Sequence, residues 1–191
     1  MPVSNKEAEV AIKTLLKWLV EDINREGLQN TPARVVRRYQ KIFKGYHTDL
    51  QSILENPTIA CEEGMNMIIV PDVEFISFCE HDLLPTIGKV NVAYLPSQKL
   101  AGIGALIKII NVFTHRLQIQ ERLTIQIVEA IEKYLNPKGI AIMIQAKHYC
   151  KEKEEAGVLY NKLVTSHFSG LLKTDIKLQN QFFGLIDKKQ N

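Results

Sequence analysis

Cysteine is scarce in this chain, with three among 191 residues, and tryptophan occurs once. Three is an odd number, and the opening residues Met1-Pro2-Val3-Ser4-Asn5-Lys6-Glu7 lack the apolar centre of a secretory signal. A disulfide framework is therefore not the expected use of the thiols. Metal binding or catalysis in a reducing compartment is, and we expect a cytoplasmic protein. Apolar runs of membrane-spanning length are lacking too, so no membrane partner is expected. A strong charge of one sign is equally missing. The net charge of +3 is too mild to argue for nucleic acid, but it leaves room for a basic pocket and an anionic small molecule. There is no internal repeat and no low-complexity segment. What remains is an ordinary globular composition, 46% hydrophobic and 24% charged, in a length that suits one domain with a substantial core, or a compact domain with an N-terminal helical extension.

The scarce cysteines are not scattered. Phe78-Cys79-Glu80-His81-Asp82 and Lys147-His148-Tyr149-Cys150 each put a cysteine and a histidine within three residues. Thiolate with imidazole is ligand chemistry that zinc prefers. Cys61 stands alone and reads as a core or interface residue.

Around these clusters the periodicity predicts the elements. Ser4-x-x-Glu7 reads as a capping box before Ala8, Ala11, Leu15, Trp18 and Leu19 at helical spacing, with Gly27 as a stop. Thr31-Pro32 opens a helix to about Lys44, burying Val35, Tyr39, Ile42 and Phe43, with Arg34, Arg37, Arg38 and Lys41 as a basic stripe. A short helix and connection follow from Leu50 to Cys61. Strands are expected at 67–70 and 73–76, interrupted by Pro71-Asp72, and then at 87–95. Two consecutive helices should bury Leu106, Ile109, Ile110 and Phe113, then Leu123, Ile127, Ala130, Ile131 and Tyr134. Asn136-Pro137-Lys138-Gly139 is a turn signal before the apolar strand 140–146. A charged loop at 151–155, a strand at 158–168 and a helix at 175–186 complete the chain. The class is α+β: an N-terminal helical segment over 1–60, then a domain over 61–191 with a four-stranded antiparallel sheet and two antiparallel helices on one face. Open sheet edges make oligomerisation plausible.

The site chemistry follows from spacing. On a strand, His148 and Cys150 would point the same way, and Cys79 with Asp82 would bind from a turn. Three protein ligands leave a fourth position for water, as in a catalytic zinc site. A neighbouring histidine suits general acid–base work. That combination implies hydrolysis at an electrophilic carbon such as an amidine or amide.

The same residues carry a resemblance. Thr31-Pro32-Ala33-Arg34-Val35, Cys79-Glu80-His81-Asp82, Ile87-Gly88-Lys89, Arg116-Leu117-Gln118-Ile119-Gln120-Glu121-Arg122-Leu123-Thr124 and His148-Tyr149-Cys150 occur in the order and spacing of the GTP cyclohydrolase I family. Arg25-Glu26-Gly27-Leu28 adds to the match. The resemblance implies a T-fold and a homo-oligomer, usually a decamer, with sites between subunits. It implies opening of the GTP imidazole ring, loss of formate, and 7,8-dihydroneopterin triphosphate as product. Cys79 and Cys150 look like zinc thiolates, His148 and His81 like the catalytic histidines. Glu121 looks like the carboxylate that holds the guanine edge, with Gln120 beside it. Arg34 and Arg37 match triphosphate cations.

Three departures accompany it. Asp82 stands where the family keeps a histidine as third zinc ligand, so another divalent metal, or ligation by His81, is an alternative. Gly102-Ile103-Gly104-Ala105-Leu106-Ile107-Lys108 lacks the family's serine and one cation, keeping Lys108. Glu152, Glu154 and Glu155 replace a basic loop. A paralogue acting on a less phosphorylated purine, or a non-catalytic purine- or pterin-binding or regulatory subunit, are the competing readings.

Overall fold

A computed structural model describes residues 3–55, 58–62, 64–151 and 162–187. The chain divides into two compact units, Met1–Lys44 and Gly45–Asn191.

The first unit holds helix α1 (Asn5–Trp18) and helix α2 (Thr31–Ile42). The capping box at Ser4 forms in full: the Ser4 hydroxyl accepts from the Glu7 amide, and the Glu7 carboxylate accepts from the Ser4 amide at 2.8 Å. The predicted apolar stripe on α1 is less buried than expected. None of α1 is buried, and α2 buries only Pro32 and Val36 rather than the Val35, Tyr39, Ile42 and Phe43 set. Two helices alone do not enclose a core.

The second unit begins with a short helix α3 (Leu50–Leu54) and a two-stranded ribbon, β1 (Ile59–Ala60) against β4 (Lys99–Leu100). The main sheet is built from β2 (Ile68–Cys79), β3 (Pro85–Leu95), β6 (Gly139–His148) and β7 (Lys162–Gly170), mutually antiparallel. A two-residue strand β5 (Leu117–Gln118), absent from the sequence reading, pairs parallel with the end of β2, giving the order β5-β2-β3-β6-β7. The expected break at Pro71-Asp72 is a bulge inside one continuous strand. The register shifts between Val70 and Val73, Asp72 takes a left-handed φ of 55°, and its amide donates to Asn91 Oδ1 at 3.0 Å. The acidic segment 152–155 and the start of the expected strand at 158 lie outside the described residues.

Helices α4 (Ile103–Thr114) and α5 (Gln120–Leu135) cover one face of this sheet. All the residues expected on their inner faces are buried. They pack on Phe75, Val90, Val92, Tyr94, Ile140, Ile142 and Ile144, and burying each such side chain contributes about 1.5–3 kcal/mol. Asn136 ends α5 in the left-handed conformation, φ 45°, as the turn signal requires. Helix α6 (Leu171–Thr174) and helix α7 (Ile176–Asp187) supply a second, smaller core on Ala93, Ala141, Leu172, Phe182 and Ile186. At Gly88 β3 and β6 approach so closely that a Cβ would lie 2.3 Å from Gln145 O.

Candidate active site

Antiparallel pairing brings the end of β2, the start of β3, the end of β6 and the start of β7 to one edge of the sheet. Alternation decides which side chains face the helices there. Phe75, Ser77 and Cys79 share the buried face of β2. On β6 the same face carries Ile142, Ile144, Ala146 and then His148, which sits opposite Thr86 of β3. The parallel pairing of Cys79 with Gln118 sets the start of α5 beside the end of β2. A cavity of about 680 Å³ opens at this edge, lined by Cys79, His81, Asp82, Gln120, Glu121, His148 and Cys150 among others.

The two cysteine clusters meet. Cys79 Sγ, an Asp82 carboxylate oxygen and Cys150 Sγ all lie within 4.8 Å of one another. Cys79 is buried, Cys150 half-buried and Asp82 exposed. The turn that carries Asp82 is closed by backbone bonds from Cys79 to Leu84 O at 2.8 Å and from Leu83 to Cys79 O at 3.0 Å. Leu83 is left-handed at φ 56°. Cys150 differs from expectation in its setting: β6 ends at His148, and Cys150 stands in a one-turn helix over Tyr149–Lys151. The i, i+2 strand argument therefore does not apply to it, although the thiol still reaches Cys79. Burial pushes the Cys150 thiol up, and its hydrogen bond with Cys79 and the negative charge of Cys79 and Asp82 push the same way. Two thiols and a carboxylate so close together suit a divalent cation, whose charge would favour the thiolate forms. Two thiolates and one carboxylate in an open pocket fit zinc with a free fourth position. His81 is exposed, with Nδ1 3.6 Å from Cys79 Sγ.

His148 is held on both ring nitrogens. Nε2 is 2.8 Å from Gln120 Oε1, and Nδ1 is 3.4 Å from Thr86 Oγ1. The tautomer follows from Gln120. Its amide nitrogen donates to the carbonyls of Ile144 (3.0 Å) and Leu163 (3.2 Å) and to Thr165 Oγ1 (3.0 Å). Carbonyls only accept, so the amide oxygen must face His148, and Nε2 carries the hydrogen.

Glu121 is exposed in the first turn of α5, where the helix dipole favours a carboxylate. Its neighbour Arg122 meets Glu80 in a bidentate pair, Nη1 to Oε2 at 2.5 Å and Nη2 to Oε1 at 3.2 Å. That hydrogen bond holds the Glu80 carboxyl below the usual carboxylate range. Sequence reasoning did not single out Glu80, Arg122, Thr86 or Thr165. The first two were visible as charged members of the two motif blocks. Arg34 and Arg37 lie on the exposed side of α2. Lys108 is exposed on α4 and is not among the residues that line the cavity.

A profile of the GTP cyclohydrolase I family matches residues 8–187. Curated relatives named GTP cyclohydrolase 1 are similar along nearly the whole chain. The one from Rickettsia bellii is 39% identical over 188 residues, covering 97% of this chain and 97% of its own. That of Rickettsia felis is 40% identical, covering 97% and 98%, and that of Pelagibacter ubique 39%, covering 97% and 92%. A solved structure of an archaeosine synthase QueF-Like protein in the apo form aligns at 17% identity with a TM-score of 0.48. It covers 56% of this chain and 97% of that one, too loosely to carry an argument.

Proposed function

This chain belongs to the GTP cyclohydrolase I family, and we propose from that premise that it hydrolyses GTP at the imidazole ring of its guanine. The products are formate and 7,8-dihydroneopterin triphosphate. The observation that carries the reading is the convergence of Cys79, Asp82 and Cys150 in one cavity with His148 and Glu121.

We assign Cys79, Asp82 and Cys150 as the ligands of a divalent ion, with zinc the best match to two thiolates. When bound, that ion supplies the Lewis acid that makes water nucleophilic at neutral pH. The remaining roles belong to the chain. Glu121 accepts hydrogen bonds from the ring N–H and amino group of the guanine edge, and a two-oxygen acceptor discriminates better there than a single one. His148 moves protons at the imidazole ring nitrogens, held in one orientation by Gln120 and Thr86. His81, beside Cys79, is the second acid–base group. Gln120 lines the cavity next to Glu121 while its amide holds His148. For the triphosphate we assign Arg34, Arg37 and Lys108. Lys108 does not line the cavity of its own chain, which supports a homo-oligomer, on the family pattern a decamer, with sites completed by a second copy. Residues 61–191 then carry the metal ligands and the catalytic histidines, with the first 60 supplying Arg34 and Arg37 and serving assembly. No helix among the described residues is long and apolar enough to cross a membrane. With three free cysteines, a cytoplasmic location fits.

The test is a substrate panel on protein of measured metal content. GTP should yield formate and, after oxidation, a fluorescent pterin. Turnover of GMP or guanosine with none of GTP would transfer the reading to a less phosphorylated purine. Binding without turnover of any of them would make the protein a binding module.

A further inference from the structure

The Cys79-Glu80-His81 and Gln120-Glu121-Arg122 blocks each contain one charged residue that the site chemistry leaves unused. They are Glu80 and Arg122, and the structure pairs them fork to fork. Neither lines the cavity. The Arg122 side chain is 47% exposed and that of Glu80 30%, a setting in which an ion pair contributes little to stability. A use other than stability is therefore the better account. The pair joins the turn that carries two metal ligands to the first turn of the helix that carries Glu121. Backbone bonds fix the turn to its own strand ends, and Glu80 N–H to Gln118 O at 3.2 Å fixes its base. Gln120 ties the α5 terminus to β6 and β7, and of the bonds named here only the Glu80–Arg122 pair runs from α5 itself to the turn that carries Asp82. A bidentate guanidinium–carboxylate pair fixes orientation as well as distance.

We propose that Glu80 and Arg122 are positioning residues that set the spacing between the metal-ligand turn and the Glu121 carboxylate, so that a purine held at one end presents its reacting carbon at the other. The proposal rests on the roles assigned above to Cys79, Asp82 and Glu121. Neither residue lines the cavity, so neither is assigned a contact with substrate. Misplacement of reacting groups by about 1 Å costs on the order of a hundredfold in rate, so a loosened clamp acts on kcat rather than on stability.

The experiment compares Glu80→Gln, Arg122→Gln, Arg122→Lys, the double variant E80Q/R122Q and the reversed pair E80R/R122E with the unaltered protein. For each, kcat and KM for GTP, the rate of zinc release to a chromogenic chelator, and the thermal midpoint are measured. Each single variant should lose about 10–50-fold in kcat with KM moved less than about threefold. Zinc release should quicken about fivefold or more as the turn loosens. The double variant should be no worse than the singles, because coupled partners are not additive. Arg122→Lys, which keeps the charge without the fork, should behave like Arg122→Gln, and the reversed pair should recover part of kcat. Thermal midpoints should move by only about 2 °C, as for an exposed pair. Singles within twofold of the parent in both kcat and zinc release would overturn the proposal, as would fully additive losses in the double variant. If the unaltered protein turns over no GTP, the functional reading fails on its own. The zinc-release comparison then decides the clamp alone, and equal release rates would overturn it.

Discussion

Replacing Gln120 by methionine separates holding a catalytic histidine from touching the substrate. Gln120 is 3% exposed, and methionine nearly matches its volume, so packing is largely kept. What disappears is a set of four polar contacts: three from the amide nitrogen, to Ile144 O, Leu163 O and Thr165 Oγ1, and one from the oxygen, to His148 Nε2. Each such bond contributes about 1 kcal/mol net, and the shared donor makes the losses less than additive, so unfolding should cost about 2–4 kcal/mol less. Catalysis should suffer through the ring of His148, which loses the partner that fixes its Nε2–H tautomer. General acid–base groups contribute about 10²–10⁴-fold, and losing orientation alone should remove about 10–100-fold of kcat. The assay is formate release and pterin fluorescence across GTP concentrations, with denaturant unfolding alongside. Thr165→Ala is the control, since it loses the contact with Gln120 but leaves His148 held. It should cost stability with kcat within about threefold, in line with a lost hydrogen bond away from the reacting atoms. The reasoning is refuted if Gln120→Met keeps kcat and raises KM, because the residue then acts on the substrate rather than on His148.

Other outcomes follow from the same geometry. Asp82→Ala should reduce metal retained after dialysis by about tenfold or more, whereas Asp82→His should retain metal at least as well as the parent; elemental analysis decides. If neither change alters metal content, Asp82 is not a ligand. Gly88→Ala should destabilise by about 1–3 kcal/mol in denaturant unfolding, since its Cβ would lie 2.3 Å from Gln145 O and 2.5 Å from Ala146 Cβ; an unchanged midpoint would show that the strands can part there freely. At α1, the Ser4 hydroxyl holds the Glu7 carboxyl below its usual range. The cap's contribution is thus complete above the ordinary carboxylate range and fades as pH falls through the lowered value. Amide exchange at the start of α1, corrected for intrinsic rates, should lose protection over that acid window, and Glu7→Gln should abolish the dependence.

Much of the fold was legible because periodicity reports burial directly. The inner faces of α4 and α5 came out as their 3.6-residue spacing required, and the Asn136-Pro137 turn closed α5 with a left-handed residue. The capping box at Ser4 was equally local and equally readable. Where burial depends on a partner surface, spacing misled: the stripe on α1 is apolar yet exposed. Pro71-Asp72 looked like an interruption because the chain does break pattern there, but the neighbouring strand absorbs the extra residue as a bulge.

At the site, the sequence by itself determined which chemistries were available. Two thiols, a carboxylate and two histidines in family-specific blocks are covalent facts that no folding can change. Only tertiary structure decided which of them meet. Cys79 and Cys150 are 71 positions apart in the numbering, and it is antiparallel pairing through β3 that closes that gap. The two-residue strand β5 is too short to leave a periodic trace, yet its parallel pairing places Gln118 opposite Cys79 and so brings the start of α5 to the end of β2. The tautomer of His148 and the Glu80–Arg122 clamp likewise depend on hydrogen-bond directions between distant segments. Direction is a property of packed backbone, and composition and spacing do not encode it.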